Sequence, residues 1–485
     1  MFSMILDLKC LMRIFRLAVC LVLLLENEFS FFVRGELYKP EQPITCSDLK
    51  QCPKEWPCCS PYGQCGAGPI CIGSCNPRFS FEKHSCAPLP ALVPNSIIQF
   101  LPKPIQVPAV SLLEVELLER GIIDFTKYLI TPDVAAARQM LNNVEFTFSG
   151  PLKLDEQTGD LLLTMPKHST GTLIASTKSF LYGASFVRLK SGRSRGVITS
   201  VVLISSVGDE IDFEFLGSEL NSVQTNYFYR GALVYTHMEH VNITSSTHSE
   251  YHDYGFDWDE DRIHWLVDGV IVRTLFREDT WDETTQSFKY PETPMRLEVG
   301  LWPGGAANNH PGTIEWAGGT IDWDNAIDIV ENGQFTAHIS YMIAEPYVNE
   351  HPPEISTCIE QGKVITFDYF SFDDMSLQWY CDLVPNIPGW QSSGSDIGRI
   401  PKPMIRKVDM HHEQTILVNP GTDFIQDTHN LDISEDGLAR FNKSRNASIV
   451  QPEESSAKIS CLHNNPLYIL KMSIILYLSK FVSTM

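Results

Sequence analysis

The sequence predicts an all-β protein, one large sandwich or barrel preceded by a small module held together by disulfides. Between about residues 125 and 345, short runs of β-branched and aromatic residues such as VEFTFSG, GVITSVVLIS, EIDFEFLG and MRLEVGLW alternate with clusters of Gly, Asn, Asp and Ser. No helical periodicity of any length crosses this stretch, so the runs read as strands joined by turns. Eight of the thirteen cysteines lie between Cys46 and Cys86, a density typical of disulfide scaffolds and of an oxidising compartment.

Composition bounds the rest. The 485 residues allow roughly three domains, and 43% hydrophobic with 11% aromatic content supports a real core and excludes wholesale disorder. With 59 acidic against 37 basic residues the net charge is −22, which argues against a nucleic-acid partner.

The N-terminus has the order of a secretory signal over residues 1–35. Lys9, Arg13 and Arg16 precede the apolar run from Leu17 to Leu25, which is too short to span a bilayer, and Val33 and Gly35 offer a cleavage point before Glu36. A buried core helix is the competing reading. Export is supported by N-glycosylation sequons at Asn242, Asn442 and Asn446. At the other end, residues 458–485 follow the order of a GPI-anchor propeptide. Small residues at Ser455, Ser456 and Ala457 lead into a polar stretch, and an apolar tail begins at Pro466. Lys471 and Lys480 interrupt that tail, so a mature spanning helix is not expected and an amphipathic tail competes with the anchor. Any membrane contact is therefore expected only through the anchor, and the location is secreted and extracellular.

Residues 46–86 are rich in Gly and Pro and lack any period long enough for a core, so disulfides must hold them. Zinc competes for dense cysteine, but the adjacent Cys58 and Cys59 and the absence of paired two-residue spacings argue against it. No metal or other cofactor is expected. The run Cys52-Pro53, Cys58-Cys59-Ser60, Gly63 and Cys65-Gly66 resembles the hevein-type chitin-binding domain, carbohydrate-binding module family 18. The resemblance implies pairs Cys46–Cys59, Cys52–Cys65, Cys58–Cys71 and Cys75–Cys86. It also implies a sugar site with the Ser60 hydroxyl on an acetamide and Tyr62 stacked on an apolar sugar face. Gln64 and Ile70 stand where that family usually has aromatics. The competing reading is a disulfide knob that only caps or spaces the next domain.

The proline-rich segment of residues 87–120 reads as a semi-rigid connector. The large domain follows over residues 121–345, with a tight hairpin expected at Val267-Asp268-Gly269-Val270. Its most informative segment is GDEIDFEFLG. As a strand this places Glu210, Asp212 and Glu214 on one face and Ile211, Phe213 and Phe215 on the other. Three like charges in successive same-face positions repel, so the row is costly unless used. A cation site and a merely solvated acidic face are the alternatives, though a flat row lacks the wrapping of a calcium loop. Paired carboxylates suit glycoside hydrolysis, in which one ionised group attacks the anomeric carbon and a protonated partner serves the leaving oxygen.

The E-I-D-F-E segment resembles the Glu-x-Asp-x-Glu motif of glycoside hydrolase family 16. With MPKHSTGTLIAST, QTNYFYRG and LWPGG around it, the chain resembles the fungal Crh-type cell-wall transglycosylases. The resemblance implies a concanavalin-like β-jelly-roll sandwich, with Glu210 as nucleophile, Asp212 as auxiliary and Glu214 as acid/base. It further implies cleavage of β-1,4-linked chitin with retention and transfer to β-glucan or chitin acceptors, cross-linking the wall. Gln224, Asn226, Tyr227, Arg296, Trp302 and Thr313 match positions that resemble substrate-binding residues, with core packing or a turn competing at each. Trp258 and Trp265 read as core. A wall polysaccharide-binding protein without turnover is the reading from another class. Residues 346–457 carry no assignable role beyond an expected Cys358–Cys381 disulfide.

Overall fold

The structure, a computed structural model, describes Pro40 and residues 42–60, 63–72, 75–93, 96–103, 113–125, 143–347, 353–369 and 377–381, with short pieces at 405–406, 416–417, 432–433 and 438–440. The expectations for residues 1–35, Tyr62, Asn442, Asn446 and residues 458–485 lie outside the described residues. No helix among the described residues is long and apolar enough to cross a membrane.

The cysteine-rich segment contributes only β1 (Cys58–Cys59) and β2 (Cys65–Gly66), an antiparallel pair. Its bonds are Cys46–Cys59, Cys52–Cys65, Cys58–Cys71 and Cys75–Cys86, and the small core is largely these cysteines with Ile44, Trp56 and Phe79 against them. The sulfurs of Cys46, Cys52 and Cys65 lie within 4.8 Å of one another, but each is spent in a disulfide and offers no thiolate.

Next come β3 (Leu89–Pro90), β4 (Ile98–Phe100), α1 (Leu113–Glu119), β5 (Ile122–Asp124), β6 (Phe146–Ser149), β7 (Leu152–Leu154), β8 (Leu161–Pro166), β9 (Thr172–Ser176) and β10 (Gly183–Lys190). The middle of the chain supplies β11 (Val197–Ser205), β12 (Glu210–Leu216), β13 (Ser222–Phe228), β14 (Glu239–Asn242), β15 (His252–Trp258), β16 (Arg262–Val267) and β17 (Val270–Phe276). A small hairpin of β18 (Trp281–Asp282) and β19 (Ser287–Phe288) precedes β20 (Met295–Pro303), α2 (Pro311–Trp316), α3 (Ile327–Asn332) and β21 (Gln334–Pro346).

Two sheets result. One, the carboxylate sheet, runs β14-β13-β12-β11-β20-β9-β6-β5; the backing sheet runs β17-β16-β15-β10-β21-β8-β7, with β4 added on β21. The hairpin between β16 and β17 turns through Asp268 and Gly269, both at positive φ, as its two-residue turn requires. The sheets meet face to face through alternating apolar residues. Phe213 packs on Tyr254 and Phe256, and Phe215 sits edge-on to Tyr254. Trp258 and Trp265 are fully buried in the same core. This is a sandwich, one of the two architectures the strand pattern allowed, and it agrees with the β-jelly roll that the family resemblance implied.

The connector differs from expectation. Instead of tethering freely, residues 87–93 and 96–103 are folded into their neighbours: β3 pairs with β22 (Ile365–Tyr369), β4 pairs with β21, and Leu89, Leu92, Ile98 and Phe100 are buried. Both strands are only two or three residues long, with Pro88 directly before β3, so no period could reveal them. The segment after residue 345 shares this small unit. Helix α4 (Pro353–Glu360), β22 and β23 (Leu377–Cys381) are joined by Cys358–Cys381 and bury Ile355, Ile365 and Tyr369 against Leu89 and Val93.

Because Phe213 lies at the centre of the sheet-to-sheet contact, Phe213→Ala should cost about 3–5 kcal/mol of stability, read from the urea midpoint at unchanged slope.

Candidate active site

Strand β12 carries Glu210, Asp212 and Glu214 on the face away from the core, because Ile211, Phe213 and Phe215 bind the strand to the backing sheet. The ladders on either side set their surroundings. Glu210 lies between Ile204 and Phe228, Asp212 between Val202 and Asn226, and Glu214 between Ser200 and Gln224. Polarity thus rises along the row, from an apolar setting at Glu210 to a polar one at Glu214. Glu210 and Asp212 are buried, while Glu214 is only partly so and is the most accessible of the three.

From the core side the Trp265 indole N–H donates to the Asp212 carbonyl at 3.0 Å. The buried Arg273 guanidinium donates to the Thr225 carbonyl at 2.8 Å. These contacts hold β12 and β13 from behind and leave the carboxyl groups unengaged. Asp212 Oδ1, Glu214 Oε2 and Asn226 Oδ1 are buried and have no hydrogen-bond partner among the described residues. Three unmatched acceptors on adjacent positions form a site that lacks donors, and hydroxyl or amide groups of a ligand would supply them.

Burial raises all three acids. Glu210 is held well above the ordinary 4.5 by burial and then by the charges of Asp212 and Glu298. Burial pushes Asp212 up to about 7 against the downward pull of Arg273. Glu214 is raised by burial, Asp212 and Glu210. Burial and mutual repulsion therefore both disfavour ionising all three acids at once.

Other expected residues divide between the two faces. Gln224 and Asn226 share the carboxylate face. Trp302 lies on β20 on that face and stacks on Trp316 at 5.9 Å between ring centres, while the Trp316 indole N–H donates to Gln224 Oε1 at 2.8 Å. Thr313 is buried on α2, the helix that carries Trp316. Arg296 sits on the same face of β20, bonded to Glu298 at 2.7 Å. Tyr227 does not join them. Its register partner is Ile211, so its ring points to the opposite side, where it belongs to the core and stacks on His237. The text around it, Gln-x-Asn-Tyr, concealed this, because a one-residue step along a strand changes face. Asn242 is exposed at the end of the edge strand β14, and the Ser60 hydroxyl accepts from the Gln64 amide at 3.2 Å.

The comparisons now bear on this geometry. Residues 140–318 match the family described as glycosyl hydrolases family 16. The chain is 45% identical over 404 residues to the probable glycosidase CRR1 of Saccharomyces cerevisiae, covering 75% of this chain and 95% of that one. It is 42% identical over 433 residues to the probable glycosidase CRR1 of Eremothecium gossypii, covering 80% and 95%. The solved apo Crh5 transglycosylase aligns with a TM-score of 0.41 at 25% identity, covering 59% of this chain and 92% of its own. The chain belongs to glycosyl hydrolase family 16, in its Crh-like branch. It is an enzyme of that family of fungal cell-wall glycosidases and transglycosylases, for which a retaining mechanism is typical.

Within this Crh-like site two residues were not anticipated. Glu298 is a fourth buried acid beside the row; the alternation in MRLEVGLW shows that it shares a face with Arg296 and Trp302, but only the pairing of β20 with β11 brings that face to the acids. Trp316 carried no local signal, since its helix is only six residues long.

The sign of the acid shifts yields a stability test. A carboxyl whose pKa is raised by folding costs nothing below its unfolded value and its full penalty above the folded one. Glu210→Gln should therefore raise the thermal unfolding midpoint at pH 7, with the gain vanishing towards pH 4. Thermal melts across that range measure it.

Proposed function

We propose that this chain is a secreted, wall-associated transglycosylase that cleaves β-1,4-linked chitin and transfers the released glycosyl unit to β-glucan or chitin. The observation that carries the reading is the same-face row on β12, buried yet with oxygens of Asp212 and Glu214 unpartnered. Glu210 is the nucleophile, Asp212 orients it and modulates its charge, and Glu214 is the acid/base.

In the first step the Glu210 carboxylate bonds to the anomeric carbon while Glu214 gives its proton to the leaving oxygen, so one chain end departs and Glu214 is left ionised. In the second, an acceptor hydroxyl passes its proton to Glu214 and attacks the same carbon, freeing Glu210. Two inversions at one centre give net retention. Glu214 is suited to this shuttle by its raised pKa and its access to solvent. Trp302 and Trp316 offer indole faces to sugar rings, with Gln224 and Asn226 as amide partners to hydroxyls. Ser60 and Tyr62 of the cysteine module take N-acetylglucosamine units of the same polymer. Residues 1–35 direct export, and exchange of the tail after residue 457 for a GPI anchor retains the enzyme at the wall.

The deciding test incubates the secreted protein with a chitin oligosaccharide and a fluorescent β-glucan or chitin acceptor. Labelled hybrid product is expected, lost by at least about a thousandfold in Glu210→Gln and Glu214→Gln. Accumulation of short chitin fragments with unextended label would make the protein a hydrolase, and intact donor with every variant would make it a binding protein.

The pH–rate profile should be bell-shaped. The acid limb reports loss of the Glu210 proton and the alkaline limb loss of the Glu214 proton. Since Glu298 is one cause of the raised Glu210 value, Glu298→Gln should move the acid limb to lower pH.

A further inference from the structure

The cysteine-rich module touches the catalytic sheet away from the connector. The Arg78 guanidinium donates to the Arg230 carbonyl at 3.2 Å. Arg230 lies in the turn that follows β13, two residues after Phe228, which is the cross-strand partner of Glu210. That turn is conformationally demanding, since Arg230 has φ 46° and Gly231 φ 77°. A non-glycine residue at positive φ persists only where its surroundings hold it.

The surroundings here converge on Asp209, the residue before Glu210. Its fully buried carboxylate accepts from the Arg230 amide at 2.7 Å, the Glu292 amide at 3.0 Å and the Thr293 hydroxyl at 2.6 Å. The Gly231 amide donates to the Gly208 carbonyl at 2.6 Å, and a Cβ on Gly208 would lie 2.7 Å from the Gly231 nitrogen. The two turns that bracket the Glu210 end of the row are thus in contact. Arg230 extends its own guanidinium to Glu292 at 3.2 Å.

The module's other attachment is the connector. The Ala87 amide donates to the Cys71 carbonyl, and the Leu92 amide to the Ser179 carbonyl. Beside the connector an open pocket of about 410 Å³ is lined by Ile72 of the module together with Ala87, Leu92, Lys178, Ile359 and Ile365.

We propose that the cysteine-rich module docks on the catalytic sheet through Arg78 and clamps residues 229–232, making Arg78 a positioning residue for Glu210. The consequence for catalysis rests on the role proposed for Glu210; the docking itself does not. A module that served only to hold polymer near the cleft would affect long substrates alone. A clamp affects short ones as well.

The test uses the full secreted chain and a chitin tetrasaccharide donor. Arg78→Ala should speed hydrogen exchange of the Arg230 and Gly231 amides by about tenfold. It should also lower kcat several-fold with little change in KM, and Arg78→Lys should restore part of both. Leu49→Ala, at an exposed module position, should leave both unchanged. Unaltered exchange in Arg78→Ala overturns the clamp whatever the activity, and faster exchange with unaltered kcat overturns the positioning role. Faster exchange alongside a wild-type protein that turns over no donor supports the docking and instead sinks the assignment of Glu210.

Discussion

The packing of Ile211, Phe213 and Phe215 against Tyr254 and Phe256 is the contact on which the site depends. A strand has two faces and a period of two, so burying one face obliges the other to carry whatever remains. Here that remainder is three acids. The direction of every side chain in the row follows from an apolar contact made behind it, and a register slip of one residue would turn the carboxyls into the core.

The same arrangement sets the electrostatic cost. Neighbouring strands place Ile204, Phe228 and Val202 beside the acids, and Glu298 adds a fourth acid nearby. Arg273 reaches the row only from the core side. Burial and like charge act together to raise the acids of the row, and the fold tolerates this because a large core supports it. A lectin could bind sugar with neutral amides and hydroxyls and would gain nothing from such crowding. The expense is understandable in a glycosidase that needs one carboxyl ionised and another protonated.

Around this sheet the rest of the chain is fitted closely. The connector adds β4 to the backing sheet and β3 to the small C-terminal unit, so connector residues Leu89 and Val93 share one small core with Ile355, Ile365 and Tyr369. The disulfide-rich segment, too small for an apolar core of its own, gains an additional hold through Arg78.

Local chemistry was enough to reveal the all-β class, the alternation that aligns Glu210, Asp212 and Glu214, and the need for disulfides between Cys46 and Cys86. Each follows from nearest-neighbour spacing, turn residues or residue type, which a linear text records directly. Pairing between distant strands is another matter. Only the ladder between β12 and β13 assigns Asn226 to the acids and Tyr227 to the core, and only β20 beside β11 brings Glu298 and Trp302 to the same face. Trp316 reaches Gln224 across 92 residues of sequence, and Arg78 reaches Arg230 across 152. Such contacts depend on how two sheets and a docked module close upon one another. That closure is decided by the burial of apolar faces over the whole chain, which no local pattern records.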